Sequence, residues 1–141
     1  MTGIHLLMAA ALLMGAAPAN AACQQSAIAG FWAFSTLSQA PTGGIGWIAC
    51  NIVVNVQGTI GPASSHCVSS GGLKSALTGR FSLVDNPTCL YRGSFDFVST
   101  GARVSVPIVN LSLDRRTANG VGVGLPAGTS GGFSFNMVKT K

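Results

Sequence analysis

The stretch CLYRGSFDF, Cys89–Phe97, decides how this chain folds. Cys89, Tyr91, Gly93, Phe95 and Phe97 alternate with Arg92, Ser94 and Asp96. A period of two, apolar on one side and polar on the other, marks a strand with one buried face. Turn formers bound it, Asp85-Asn86-Pro87 before and Thr100-Gly101 after. The pattern recurs outward. Leu73, Leu77, Phe81 and Leu83 oppose Lys74, Thr78 and Arg80. Ile48, Cys50, Ile52, Val54 and Val56 oppose Asn51 and Asn55, and Phe133, Phe135 and Met137 oppose Ser134 and Asn136. No segment of the body of the chain has a helical period. The alternation and its turn signals predict strands over 28–38, 45–57, 59–67, 73–84, 88–99, 103–113, 119–126 and 132–140. The seventh of these, NGVGVGLP, is rich in glycine and reads as the loosest seam. Short links imply antiparallel neighbours, and eight such strands can close on themselves, which removes exposed edges. The expected fold is all-β, an eight-stranded antiparallel up-and-down β-barrel.

The start of the chain sets the compartment. Residues 1–21 read as a cleaved signal peptide: an apolar run over 4–17, Pro18, then Ala19-Asn20-Ala21 as a small-x-small cleavage pattern. The segment lacks a Lys or Arg ahead of the apolar run. Cys23 raises lipidation, but Asn20 stands where lipid-modified cysteines usually carry an aliphatic residue, so lipidation is not expected. Residues 22–141 then form a single domain, with no further run long enough to span a bilayer as a helix. All four cysteines fall in this part, and an even count in an exported chain predicts two disulfides. There is no Cys-x-x-Cys, and the neighbours His66 and Cys67 point to opposite faces of a strand, so neither a metal nor a cofactor is expected. Three pairings exist for four cysteines. A turn near Gly58-Thr59 sets Cys50 opposite Cys67; Cys23 precedes the first strand, Cys89 begins the fifth, and both odd-numbered strands start at one end of a meander. The expected bridges are Cys50–Cys67 and Cys23–Cys89, in a protein of the bacterial periplasm or exterior.

Charge excludes more than it suggests. The chain has no Glu, three acidic residues (Asp85, Asp96 and Asp114), eight Lys and Arg, and a net charge of +5. That balance favours acidic partners, such as anionic lipid or an acidic protein. The basic residues are scattered without interleaved aromatics, so nucleic acid is not an expected partner. His66 is the single histidine after residue 21, and no spacing groups it with an acid and a nucleophile. GTSGG is a turn rather than a nucleophile elbow, and GVGVGLPAG lacks what a phosphate loop needs. Asp114-Arg115-Arg116 reads as a solvated ion pair in a turn. No enzymatic activity is expected.

The first strand, AIAGFWAFSTLS over 27–38, places Ile28, Gly30, Trp32 and Phe34 on one face. Its Gly30-x-Trp32 resembles the opening of calycin-type barrels: lipocalins, fatty-acid-binding proteins and avidins. The resemblance implies that Trp32 closes one barrel end and that a basic residue of the last strand, here Lys139, covers the indole. The longer pattern GFWAF…WIACNIVV…SSHC is similar to small secreted bacterial inhibitors of metalloproteases, whose extended N-terminal segment enters the protease cleft. This chain departs from them in its short lead before Ile28 and in carrying Cys89.

The leading functional expectation is therefore an exported binding barrel for a small hydrophobic ligand. Its lining would be Trp32 and Phe34 from the first strand, Ile52 and Val54 from the second, and Leu77 and Phe81 from the fourth. Tyr91, Phe95, Phe133 and Phe135 from the fifth and last strands would complete it. The alternative is an inhibitor or other module that binds an exported protein. A third reading inverts the wall into a small outer-membrane barrel, with Lys74, Arg80, Arg92 and Asp96 lining a polar lumen; membrane association is the lesser expectation. Alternation alone does not say which face points inward.

Overall fold

A computed structural model describes residues 22–39, 45–125 and 129–141. The expected signal peptide, and residues 40–44 and 126–128 of the expected connectors, lie outside the described residues. A 3-10 turn, Gln25–Ile28, leads into nine strand segments. These are β1 (Gly30–Gln39), β2 (Ile45–Val54), β3 (Thr59–Ile60), β4 (His66–Ser69), β5 (Lys74–Asp85), β6 (Leu90–Phe97), β7 (Ala102–Leu111), β8 (Thr117–Leu125) and β9 (Thr129–Lys139). All pairings are antiparallel; sequence neighbours pair throughout except β3 with β4, and β9 returns to pair with β1. Because β3 and β4 both lie between β2 and β5, the nine segments occupy eight positions of a closed barrel.

The expected third strand, 59–67, is thus divided. Gly61-Pro62 interrupts it, since proline cannot donate to a ladder. Ser65 repairs the gap: its hydroxyl accepts from the Val53 N–H at 3.0 Å, and its carbonyl accepts from the Leu77 N–H at 2.9 Å. The first strand also starts later than expected, because residues 25–28 coil into the 3-10 turn. Val56 leaves the expected buried face; it lies past the end of β2 and is exposed.

Burial decides the facing. The odd residues of β6, the even residues of β2 and the odd residues of β9 fill the interior, while Lys74, Arg80 and Arg92 stand exposed outside. Asp96 shares that outer face. The polar-lumen arrangement is overturned by this facing. In β7 the inward parity switches partway: Val104 and Val106 are buried, then Val109 and Leu111. The cause is a bulge at Pro107, where Tyr91↔Val109 and Gly93↔Val106 leave two β7 residues opposite Arg92.

The glycine-rich β8 is not a loose seam. It pairs with β9 from Thr117↔Val138 through Val123↔Gly132. Gly120 and Gly122 face inward and seat phenyl rings: a Cβ on Gly122 would lie 2.4 Å from Phe133 Cζ, and one on Gly120 2.5 Å from Phe135 Cζ. Phe97, Phe95, Phe34, Phe135 and Phe133 form a chain of rings through the interior, with successive centroids 5.8, 5.9, 5.0 and 6.3 Å apart. Fully burying one such ring is worth about 1.5–3 kcal/mol, and the offset contacts add to that.

Candidate functional site

The barrel has two unlike ends. Turns 55–58, 86–89 and 112–116 share one end with residues 22–29 and the end of β9. Both disulfides form as expected. Cys50 and Cys67 face each other across β2 and β4, and Cys23–Cys89 ties the chain ahead of the 3-10 turn to the start of β6. Two disulfides fit an oxidising, exported location.

This end is sealed by hydrogen bonds that close on the 3-10 turn. Trp32 Nε1 donates to the Ile28 carbonyl at 2.8 Å, and the Tyr91 hydroxyl donates to the Gln24 carbonyl at 2.6 Å. Gln25 behaves like a piece of strand, its Nε2 donating to the Phe81 carbonyl and its Oε1 accepting from the Leu83 N–H. Lys139 Nζ sits 5.0 Å from the Trp32 ring centre and 3.5 Å from the Ala27 carbonyl. A cation over an indole face is favourable. Gly30 makes room for it: its φ is +142°, and a Cβ there would meet Lys139 Cε at 3.0 Å. Burial, helped by nearby Arg115, holds the Lys139 amine below its ordinary range, and burial raises the Tyr91 phenol. Gln25 is a contributor the sequence did not advertise, because a glutamine outside any periodic run looks like any other.

The ten expected lining residues all point inward, and none exceeds 7 % exposure. Trp32 and Tyr91 lie at the sealed end, and the phenylalanine chain runs on from them. Thr36 and Ser75 are the polar side chains buried among the inward-facing strand positions, and both donate to carbonyls.

The opposite end carries turns 70–73 and 98–101 and a parted seam. β1 and β9 pair from Trp32↔Lys139 to Thr36↔Phe135, and there their ladder stops. Beyond it, among the described residues, β1 continues only with β2, through Leu37↔Trp47, and β9 only with β8. Thr36 Oγ1 donates to the Ser134 carbonyl at 2.6 Å where the strands separate. A groove of about 510 Å³ opens there, lined by Ser35, Thr36, Leu37, Trp47, Ile48, Ala49, Ser134 and Asn136. Around it large apolar side chains meet solvent: Ile45 is 80 %, Leu37 69 % and Trp47 47 % exposed. The parity of β2 carried this signal, since an inward Ile48 sends Trp47 out.

Residues with catalytic potential stay apart. His66 is exposed at the start of β4, with Nε2 3.4 Å from Asn51 Nδ2. Asp85 accepts from Thr88, and Asp96 pairs with Arg103 Nε at 2.7 Å. The ion pair expected within Asp114-Arg115-Arg116 is replaced by a turn contact: Asp114 accepts from Ser112 Oγ at 2.5 Å and from the Arg116 N–H at 3.0 Å. Among the described residues no group of His, Cys, Asp and Glu has metal-binding geometry.

Compared with protein-family models, curated proteins and solved structures, the chain finds no match.

Proposed function

We propose that this protein is a non-enzymatic binding module of the periplasm or cell exterior. Its partner is an exported protein that offers an extended apolar segment to the parted seam of β1 and β9. What carries this reading is the exposed cross-strand pair Leu37–Trp47 beside two strand edges that have stopped pairing. Edges of this kind accept an added strand, whose main chain supplies affinity and whose alternate side chains reach flanking apolar groups. A half-exposed tryptophan is the residue type most enriched at such contacts. The interior supports a ligand less well, because its rings already fill one another's contacts and would have to part to admit one. An inhibitor that threads its N-terminal segment into a cleft is also less well supported, since Cys23 and Ile28 are buried against the barrel.

Calorimetry with short peptides of alternating apolar and polar residues tests the proposal. Leu37→Ser and Trp47→Ser should each weaken binding by at least about tenfold, which corresponds to roughly 1.4 kcal/mol. Bound peptide should slow hydrogen exchange along Leu37–Gln39. Affinities unchanged in both variants, or protection at Cys23–Ile28 instead, would overturn it. Native mass spectrometry of the purified protein addresses the interior: a retained hydrophobic small molecule would favour the ligand reading over this one.

A further inference from the structure

Four strand positions round the barrel from β1, the outer face of β5–β7 carries positive charge without matching acid. Arg80 lies opposite Ser94, and Ser94 opposite Ser105; in the next outward row Ser82 lies opposite Arg92. Arg80 and Arg92 are therefore diagonal neighbours on one face, a spacing of roughly 7–8 Å between backbones that long side chains can close. The Pro107 bulge widens the sheet beside Arg92 and leaves a groove of about 530 Å³ lined by both arginines, Ser82, Ser94, Ser105 and Pro107.

The carboxylates beside this groove are already committed. Asp96 meets Arg103 in a two-pronged contact, Nε to Oδ1 at 2.7 Å and Nη2 to Oδ2 at 3.2 Å, which holds the Asp96 carboxyl below its ordinary range. Asp85 and Asp114 are engaged in their own turns. Among the described residues Arg80 and Arg92 have no ion-pair partner. Two guanidinium forks and three hydroxyls make a donor-rich, acceptor-poor surface. That donor set exceeds what a carboxylate can accept and suits the several oxygens of a tetrahedral anion.

We propose that this groove binds a phosphoryl group, Arg80 and Arg92 gripping it from two sides while the serine hydroxyls complete its hydrogen bonds. The group can reach it as free phosphate or on a phospholipid headgroup, and both present the same oxygens. The site is independent of the β1–β9 seam and stands or falls separately from it.

Two binding arms separate the sources. In the first, inorganic phosphate is titrated into the protein at low ionic strength and followed by 31P line broadening. In the second, co-sedimentation is measured with phosphatidylcholine vesicles containing phosphatidic acid, and with phosphatidylcholine alone. Binding in either arm supports the groove, and the arm that responds names the source. Arg80→Gln and Arg92→Gln should each reduce that binding several-fold, and the double variant should abolish it. Arg80→Lys, which keeps the charge but loses the fork, should retain only part. Lys141→Gln, which removes one charge at the sealed end, should leave it unchanged. No binding in either arm, or a Lys141→Gln loss equal to that of Arg92→Gln, would overturn the proposal. Both arginines are exposed, so unchanged far-ultraviolet dichroism in the variants verifies that the fold is intact.

Discussion

Tyr91 shows how one side chain can hold an end of the barrel. It is the single tyrosine of the chain, lies fully buried, and donates to Gln24 in the segment that covers the sealed end. Burial raises its phenol above the ordinary value of 10.0. A group whose folded pKa lies above its unfolded one stabilises fully below the unfolded value and loses that contribution as pH rises through the folded value. Thermal midpoints should therefore fall as pH climbs past about 10, and absorbance at 295 nm, which reports Tyr91 alone, should titrate in the same range. Tyr91→Phe should cost about 1 kcal/mol near neutral pH and remove that alkaline loss. Lys139 acts in the opposite sense just below 10.5: its folded pKa is lowered, so stability rises with pH there. A fall in midpoint that persists in Tyr91→Phe would refute the assignment. The sequence named Tyr91 and Trp32 as inward, because alternation reveals facing. It did not reveal their acceptors, Gln24 and Ile28, whose carbonyls are placed by a 3-10 turn that has no periodic signature.

At the scale of the elements, alternation placed all eight positions, and strand order placed both bridges. What it missed are the points where a strand departs from regularity. Gly61-Pro62 is readable as a turn signal, yet the expected run of 59–67 absorbs it, since it takes the hydroxyl and the carbonyl of Ser65 together to carry the barrel across the interruption. Likewise Pro107 flips the parity of β7, which a strict period of two cannot represent. β8 is the most instructive misreading. Its glycines look like weak specification until Phe133 and Phe135 are seen lying over them. Gly122→Ala should destabilise by about 1–3 kcal/mol through overpacking against the Phe133 ring. Combining it with Phe133→Leu should recover part of the loss, a coupling that denaturant midpoints of the two singles and the double would measure. Strict additivity would mean that Gly122 is required for its backbone rather than for the ring.

For the whole molecule, the two bridges divide the work unequally. Cys23–Cys89 closes 66 residues and Cys50–Cys67 closes 17, so chain entropy assigns them roughly 4 and 3 kcal/mol respectively. Paired serine substitutions should follow that order in denaturant midpoint, the 23/89 variant being the less stable. The reverse order would mean that native contacts around the Cys50–Cys67 ladder outweigh the loop term. The candidate surfaces were less legible than the wall that carries them. Exposed Leu37 and Trp47 sit on residues whose parity was readable, but the parting of β1 from β9 depends on how eight strands close, which no local pattern encodes. The sealed end has a consequence for how the molecule can be carried. The Phe31 N–H donates to the Lys141 carbonyl and the Thr140 N–H to the Phe31 carbonyl, while Cys23 is bridged to the same rim. Cys23, bridged beside β6, and Lys141, bonded to β1, thus both lie at the sealed end, and the β1–β9 seam opens at the far end. Coupled to a bead or a larger body through the exposed Lys141, the barrel would stand upright like a socket with its mouth facing out.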